Sequence, residues 1–257
     1  GMRPVERSVI GWALDAATGA DHNAATTLAP VSLPSLLGEL VAALNKVQSQ
    51  HRFGLRATSL NRRFDDFRQG RVHVAIFENP DWNWQGIAGT RIDMGLEDAE
   101  VLVARREPGR DQHYFDNLMN KRMALFNGYH YGFAGFNNDP KWLEQNFNAV
   151  LTYSHESNIR LLLLGRVDMA PITRSWLGAR LREQPQLREQ LLVSDWEDQR
   201  YRHYAILSPQ APISAEDLRN TLQLLRDNGE MKRIFAPYGI DVRPNVAGSS
   251  ATASASD

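Results

Sequence analysis

Two segments of the chain repeat one local pattern. Residues 67–77 read Phe-Arg-Gln-Gly-Arg-Val-His-Val-Ala-Ile-Phe, and residues 162–172 read Leu-Leu-Leu-Gly-Arg-Val-Asp-Met-Ala-Pro-Ile. In each, a helix-like stretch stops at a glycine, followed by Arg-Val and an apolar run fit for a buried strand. The match continues upstream, where Ser59 precedes Gly70, and Ser154 precedes Gly165, by the same 11 residues. Each serine follows a strand-like run, residues 53–57 or 150–153. A serine there can N-cap the next helix, its hydroxyl accepting from a free backbone N–H. Each glycine falls where a helix must end in a left-handed conformation. The repeated unit is strand, Ser-capped helix, glycine stop, strand, and its two copies lie 95 residues apart. A strand–helix–strand unit of this length implies a parallel crossover. The expected fold is α/β, with two Rossmann-like lobes.

The remaining sequence supplies parts for two such lobes. Residues 9–13 read as an opening strand. Ser32 can cap a helix with Pro34 in its first turn, and Leu36, Leu37, Leu40, Val41 and Leu44 form one apolar face. Residues 123–126 make a short strand, and Asp139-Pro140 starts a helix that buries Trp142, Leu143 and Phe147. Residues 100–105 and 201–207 read as strands that carry the chain across and back. Ser214 opens a helix bearing Leu218, Leu222 and Leu225, ended by Asn228-Gly229, and residues 230–235 begin another. The expected division is 1–103 with 204–246 as a discontinuous first lobe, 104–203 as the second, and 247–257 as a disordered tail. That tail has no large apolar residue to offset its ordering entropy.

Composition removes several classes of function. The 257 residues carry a net charge of −1, without the basic excess that phosphate neutralisation requires, so no nucleic-acid partner is expected. No apolar run approaches the roughly 20 residues of a membrane-spanning helix. The absence of cysteine excludes thiol nucleophiles, Cys-bound zinc and disulfides. The 7 histidines are scattered without metal-ligand spacing, and no Gly-x-Ser-x-Gly elbow occurs, so neither a metal nor a cofactor is expected.

Three stretches resemble the bacterial periplasmic solute-binding proteins of the type 2, two-lobed class, family 3, the substrate-binding components of ABC importers. They are Arg63-Phe-Asp-Asp-Phe-Arg-Gln-Gly-Arg-Val-His-Val-Ala-Ile, Ser157-Asn-Ile-Arg-Leu-Leu-Leu-Leu-Gly-Arg-Val-Asp168-Met-Ala, and Glu230-Met-Lys-Arg-Ile-Phe-Ala-Pro-Tyr-Gly239. The resemblance spans residues 5–240 and implies two lobes joined by two crossover strands, with a ligand held in the cleft by hinge closure. It implies a monomer that meets a small-molecule ligand and ABC-importer membrane subunits. It also implies a periplasmic protein in its mature form: Gly1-Met2 reads as a cleavage scar, and Arg3, Glu6 and Arg7 interrupt any signal-peptide core. Amino-acid binders of that family hold the ligand carboxylate with an Arg past the first-lobe strand. They hold its ammonium with an Asp five residues after the second-lobe aspartate. Here that second position is Thr173, and the first-lobe segment is Asn79-Pro-Asp-Trp-Asn-Trp-Gln85 with Arg91 the nearest basic substitute. The fold carries over, and amino-acid specificity does not.

Ligands of open parallel sheets bind beyond the carboxyl ends of the strands. That rule selects Trp12 and Asp15 after the opening strand, and Glu78, Asn79, Trp82 and Trp84 after the first Gly-Arg-Val strand. After residues 123–126 it selects Gly128, Tyr129, His130 and Tyr131, and after the second Gly-Arg-Val strand Thr173 and Arg174. Trp196 lies outside these loops. The aromatics offer stacking faces for a small polar or aromatic ligand, although Trp82 or Trp84 could instead cover a sheet edge. Asp168 reads as structural. The glycine-rich stretch 128–135 is either a flexible wall or a backbone cradle for a ligand oxygen. A binding protein is the first expectation. A dehydratase-like cleft enzyme, with Glu78 and His130 as an acid–base pair, and the sensing domain of a signalling protein are the alternatives.

Overall fold

The computed structural model describes residues 10–18, 36–59, 62–244 and 246. Ser32, Pro34 and the tail 247–257 lie outside the described residues. The chain divides into two compact units, Gly1–Glu97 with Tyr201–Asp257, and Asp98–Arg200.

The first unit begins with β1 (Ile10–Thr18), α1 (Leu36–Val47), β2 (His51–Ser59), α2 (Arg63–Arg68) and β3 (Val74–Glu78). Strand β4 (Thr90–Arg105) leads into the second unit, which holds β5 (Met123–Phe126), α3 (Pro140–Phe147), β6 (Ala149–Thr152), α4 (His155–Leu163), β7 (Ala170–Thr173) and α5 (Arg174–Glu183). Strand β8 (Leu191–Leu207) leads back to α6 (Ala215–Asp227), α7 (Glu230–Phe235) and β9 (Asp241–Val242). Both crossovers are longer than the sequence indicated. Because β4 and β8 belong to both units, the hydrogen-bonded order reads β2-β1-β3-β8-β4-β7.

The repeated Gly-Arg-Val is one device used twice. Gly70 has φ +72° and Gly165 φ +71°. The Gly70 amide donates to Phe67 O at 3.2 Å and the Arg71 amide to Asp66 O at 2.9 Å. The Gly165 amide donates to Leu162 O at 3.0 Å and the Arg166 amide to Leu161 O at 2.9 Å. Both are Schellman helix ends, with the same pair of bonds closing the last carbonyls. The valine that follows is buried in each, Val72 and Val167, and anchors the strand start.

The strands that flank the repeated helix are parallel to one another in both units, and the strand lying between them differs in direction from one unit to the other. In the first unit β1 lies between β2 and β3 and pairs antiparallel with both, so β2 and β3 are parallel to one another without being neighbours. In the second unit β5 pairs parallel with β6, and Met123 makes a parallel bridge to Met169 at the start of β7. The parallel crossover therefore spans an intervening strand in each case.

Two local expectations are corrected. The opening strand runs Ile10–Thr18, so Trp12 and Asp15 lie within it, opposite Ala57 and Gly54, rather than beyond its end. Ser59 is not a cap: β1 holds β2 in register through Ser59, and α2 starts only at Arg63, with Arg62 at the N-cap and no side-chain cap bond. Asp139 and Pro140 do start α3, with Asp139 at the N-cap and no side-chain cap bond. Ser154 and Ser214 do cap, accepting from the amides of Ser157 at 3.0 Å and Asp217 at 3.1 Å.

Each unit has its own core. In the first, Leu36, Leu37, Leu40 and Leu44 of α1 are buried, as are Leu218, Leu222 and Leu225 of α6 and Met231, Ile234 and Phe235 of α7. In the second, one apolar cluster joins Val101, Val103, Ile159, Leu162, Ile172 and Trp176, and another joins Leu102, Phe115, Met123, Leu125, Tyr131 and Leu143. Successive residues of β4 thus serve opposite faces, as strand periodicity requires.

Candidate functional site

Strand β3 ends in a buried charge. Glu78 forms an ion pair with Arg63, Nε lying 2.8 Å from Oε1, and accepts from Trp84 Nε1 at 2.9 Å on Oε2. Burial pushes its carboxyl up, against the lowering pull of Arg63 and the Trp84 hydrogen bond. Trp84 is 1% exposed and meets Phe64 and Phe67 edge-on at 4.8 and 5.1 Å between ring centroids. Glu78 and Trp84 therefore belong to the first unit's interior. A non-glycine left-handed residue precedes Glu78: Phe77, φ +57°, sits where the pairing of β3 with β8 shifts register. That shift turns the chain into the loop that carries Asn79 and Trp82. Asn79 accepts from the Asp81 amide at 3.0 Å and donates to Arg202 O at 3.1 Å, which fixes the loop. Trp82 is half-buried and packs edge-on against Tyr201 at 5.3 Å. Arg91 is half-buried in β4.

In the second unit, the ends of β5 and β7 meet a buried polar chain. Thr173 Oγ1 lies 3.0 Å from each carboxylate oxygen of Glu100 and 3.1 Å from His155 Nε2. The Thr173 hydroxyl proton points to Glu100, so its lone pairs are what it offers to His155 Nε2. Tyr129 Oη completes the chain 3.4 Å from the same nitrogen, its ring stacked on Phe126 at 4.6 Å. Glu100 and His155 are fully buried, and Tyr129 and Thr173 nearly so. Thr173 thus faces the protein interior, and Tyr129 and Tyr131 are core residues, Tyr131 Oη accepting from the Phe126 amide at 3.0 Å.

Gly128, His130 and Arg174 remain at the surface of these strand ends. Gly128 has φ +93° and open space where a Cβ would be. His130 donates from Nδ1 to Phe136 O at 2.7 Å, which leaves Nε2 as the acceptor facing Asn138 Nδ2 at 3.3 Å. Arg174 opens α5 and reaches Glu197 at 2.6 Å, and Arg200 grips the same carboxylate at 2.9 Å. Hydrogen bonds from Arg200 and Arg174 hold the Glu197 carboxyl below the usual glutamate range.

The glycine-rich loop does cradle an anion, one of its own chain. Asp198 accepts from the amides of Gly132 at 2.6 Å and Phe133 at 2.7 Å. A Cβ on Gly132 would fall 2.4 Å from the Asp198 carbonyl, so only glycine fits. Asp198 and Glu100 were not singled out from sequence, since their partners lie some 65 and 73 residues away. Asp168 is structural: its carboxylate accepts from the Arg122 amide at 2.7 Å and holds β7 to the start of β5. Among the described residues no group of three or more His, Asp or Glu side chains could hold a metal ion, and no helix is long and apolar enough to cross a membrane.

No protein-family model matches the sequence, and no curated protein matches it. Solved structures do. An arginine-bound amino acid ABC transporter substrate-binding protein from Streptococcus pneumoniae aligns with 15% identity and a TM-score of 0.57, over 80% of this chain and 84% of its own. The glutamate-bound GluR0 ligand-binding core from Nostoc punctiforme aligns with 13% identity and a TM-score of 0.57, over 82% and 95%. The arginine-, lysine-, histidine-binding protein ArtJ from Geobacillus stearothermophilus aligns with 14% identity and a TM-score of 0.54, over 79% and 85%. The chain has the α/β fold of the two-lobed type 2 periplasmic binding proteins, as the resemblance implied.

Proposed function

We propose that this chain is an extracytoplasmic solute-binding protein that captures a small polar or aromatic ligand by hinge closure and delivers it to an ABC importer, without catalysing a reaction. The observation that carries this reading is the duplication: two strand–helix–strand units, each stopped by the same Schellman turn, with two long strands shared between the units. Two similar walls that can close on one ligand are what capture requires. Support also comes from the solved structures of like fold, which are ligand-binding proteins and cores.

The ligand-contacting set we infer is Asn79 and Trp82 from the first unit and Gly128, His130 and Arg174 from the second. Trp82 supplies an apolar face and Arg174 a charge held ready by Glu197. The dehydratase-like alternative loses its acid–base pair, because Glu78 is sequestered by Arg63 and Trp84. Plain α-amino acids are poor ligands in this reading, since Thr173 stands where an ammonium-pairing acid is expected and its hydroxyl is committed to Glu100. A lost charge-assisted hydrogen bond weakens binding by roughly 1.5–3 kcal/mol. Titration calorimetry with the twenty amino acids tests this ligand class; micromolar binding of a plain amino acid would overturn it.

A further inference from the structure

The second unit contains a cavity of about 520 Å³ that none of the inferred ligand-contacting residues lines, although Phe133 of the glycine-rich loop does. Its apolar walls are Phe115, Leu118, Phe133 and Trp196, and its carboxylates are Asp116 and Asp195. The volume is that of a small-molecule site. Trp196 is 47% exposed, so part of its indole face is open to solvent. Its strand segment is nevertheless firmly held. Buried Ser194 donates from its hydroxyl to Trp196 O at 2.6 Å and accepts from the Leu102 amide at 2.9 Å. Gln112 accepts from the Asp195 amide at 2.8 Å and donates to Val193 O at 2.9 Å, acting as a short surrogate strand beside β8. The Gln112 amide is thereby used on the backbone, and the polar groups that face a ligand are the two carboxylates. Asp116 also meets His113 Nδ1 at 2.9 Å on the exposed side.

We propose that this cavity is a second ligand site, for an organic cation with an aromatic or bulky apolar body. The indole of Trp196 and the rings of Phe115 and Phe133 favour a cation over a neutral ligand through their negative faces. Asp116 and Asp195 attract a cation by their opposite charge, whereas an anion would meet two carboxylates and no basic side chain of the lining. This site is independent of the solute-binding reading, because none of its residues belongs to the inferred ligand-contacting set.

The test is fluorine NMR on the full chain labelled with 5-fluorotryptophan, which gives resonances for 6 tryptophans. Trp196→Phe identifies the resonance of interest. Benzyltrimethylammonium chloride is the probe, and benzyl alcohol, which keeps the ring and lacks the charge, is the comparator. The expected result is a saturable shift of the Trp196 resonance by the charged probe, with benzyl alcohol and the Asp116→Asn/Asp195→Asn double variant each about tenfold weaker. Trp82→Ala should leave the shift unchanged. A Trp196 resonance that does not saturate, equal response to both probes, or full affinity in the double variant overturns the proposal. Both aspartates are at the surface, and the unshifted resonances of the buried tryptophans report that the variant is folded.

Discussion

Thr173 Oγ1 lies 3.0 Å from both carboxylate oxygens of Glu100, across 73 residues of sequence. This contact ties the end of β7 to the crossover strand β4 at the point where their backbones pair, Glu100 opposite Thr173. A carboxylate buried this deeply is tolerated only with hydrogen-bond donors in place. Thr173→Val keeps the shape and removes the hydroxyl that links Glu100 to His155. It should cost about 1–3 kcal/mol of stability in a urea titration. Thr173→Ser should restore most of that. Equal stability of the Val and Thr proteins would show that the linkage carries no weight.

The two Schellman ends make matched claims. Alanine at Gly70 or Gly165 must hold a left-handed backbone, which costs an L-residue about 1–2 kcal/mol. At Gly70 the new Cβ would run into Gln210 Oε1, and at Gly165 it would stand 2.9 Å from Arg105 Nη1, so in each case a flexible side chain must also shift. Chemical denaturation of Gly70→Ala and Gly165→Ala should show losses of similar size. A neutral result at either position would break the equivalence of the two units' turns.

Trp84 and Trp82 should separate in their consequences. Trp84→Ala empties a packed site against Phe64 and Phe67 and removes a donor to Glu78. It should destabilise by about 3–5 kcal/mol, readable as a lowered Tm. Trp82→Ala removes a half-exposed ring and should cost stability little. If Trp82→Ala lowers Tm as far as Trp84→Ala does, the ring is structural, not a ligand face.

The Glu197 carboxylate makes stability depend on pH in a definite direction. Its folded pKa is lowered, first by the Arg200 hydrogen bond, so the unfolded chain binds this proton more tightly. The contribution is present in full above the ordinary glutamate range and is lost as the pH falls through the folded value. Because the groups are partly exposed, the size is about 1 kcal/mol or less. Denaturation of Glu197→Gln and the parent should differ at pH 7 and converge in acid. A difference that grows in acid would reverse the assigned sign.

Much of this was legible in sequence where the signal is local. The Gly-Arg-Val pair announced its two helix ends because a Schellman turn is complete within six residues. Ser154, Ser214 and the Leu218–Leu222–Leu225 stripe announced themselves for the same reason. Ser59 misled, because the register of β1 against β2 extends the strand past the point where a cap could act. Trp84 and Tyr129 looked like binding faces because an aromatic after a strand reads alike whether it turns inward or outward. What turns them inward is a partner far along the chain: for Tyr129, buried His155, itself tied through Thr173 to Glu100. Asp198 was silent for that reason, since nothing near it in sequence shows that it satisfies the amides of Gly132 and Phe133.

The most direct test of the central claim is a thermal-shift screen of the full chain against polyamines, opines, sugars, aromatic acids and amino acids, followed by calorimetry on the hit. One of the first four classes should raise Tm and bind stoichiometrically. Trp82→Ala and Arg174→Ala, from different units, should each weaken that ligand by about 1–3 kcal/mol, while Trp196→Phe should not. A ligand whose affinity is untouched by both variants, or no ligand among these classes, would contradict that claim.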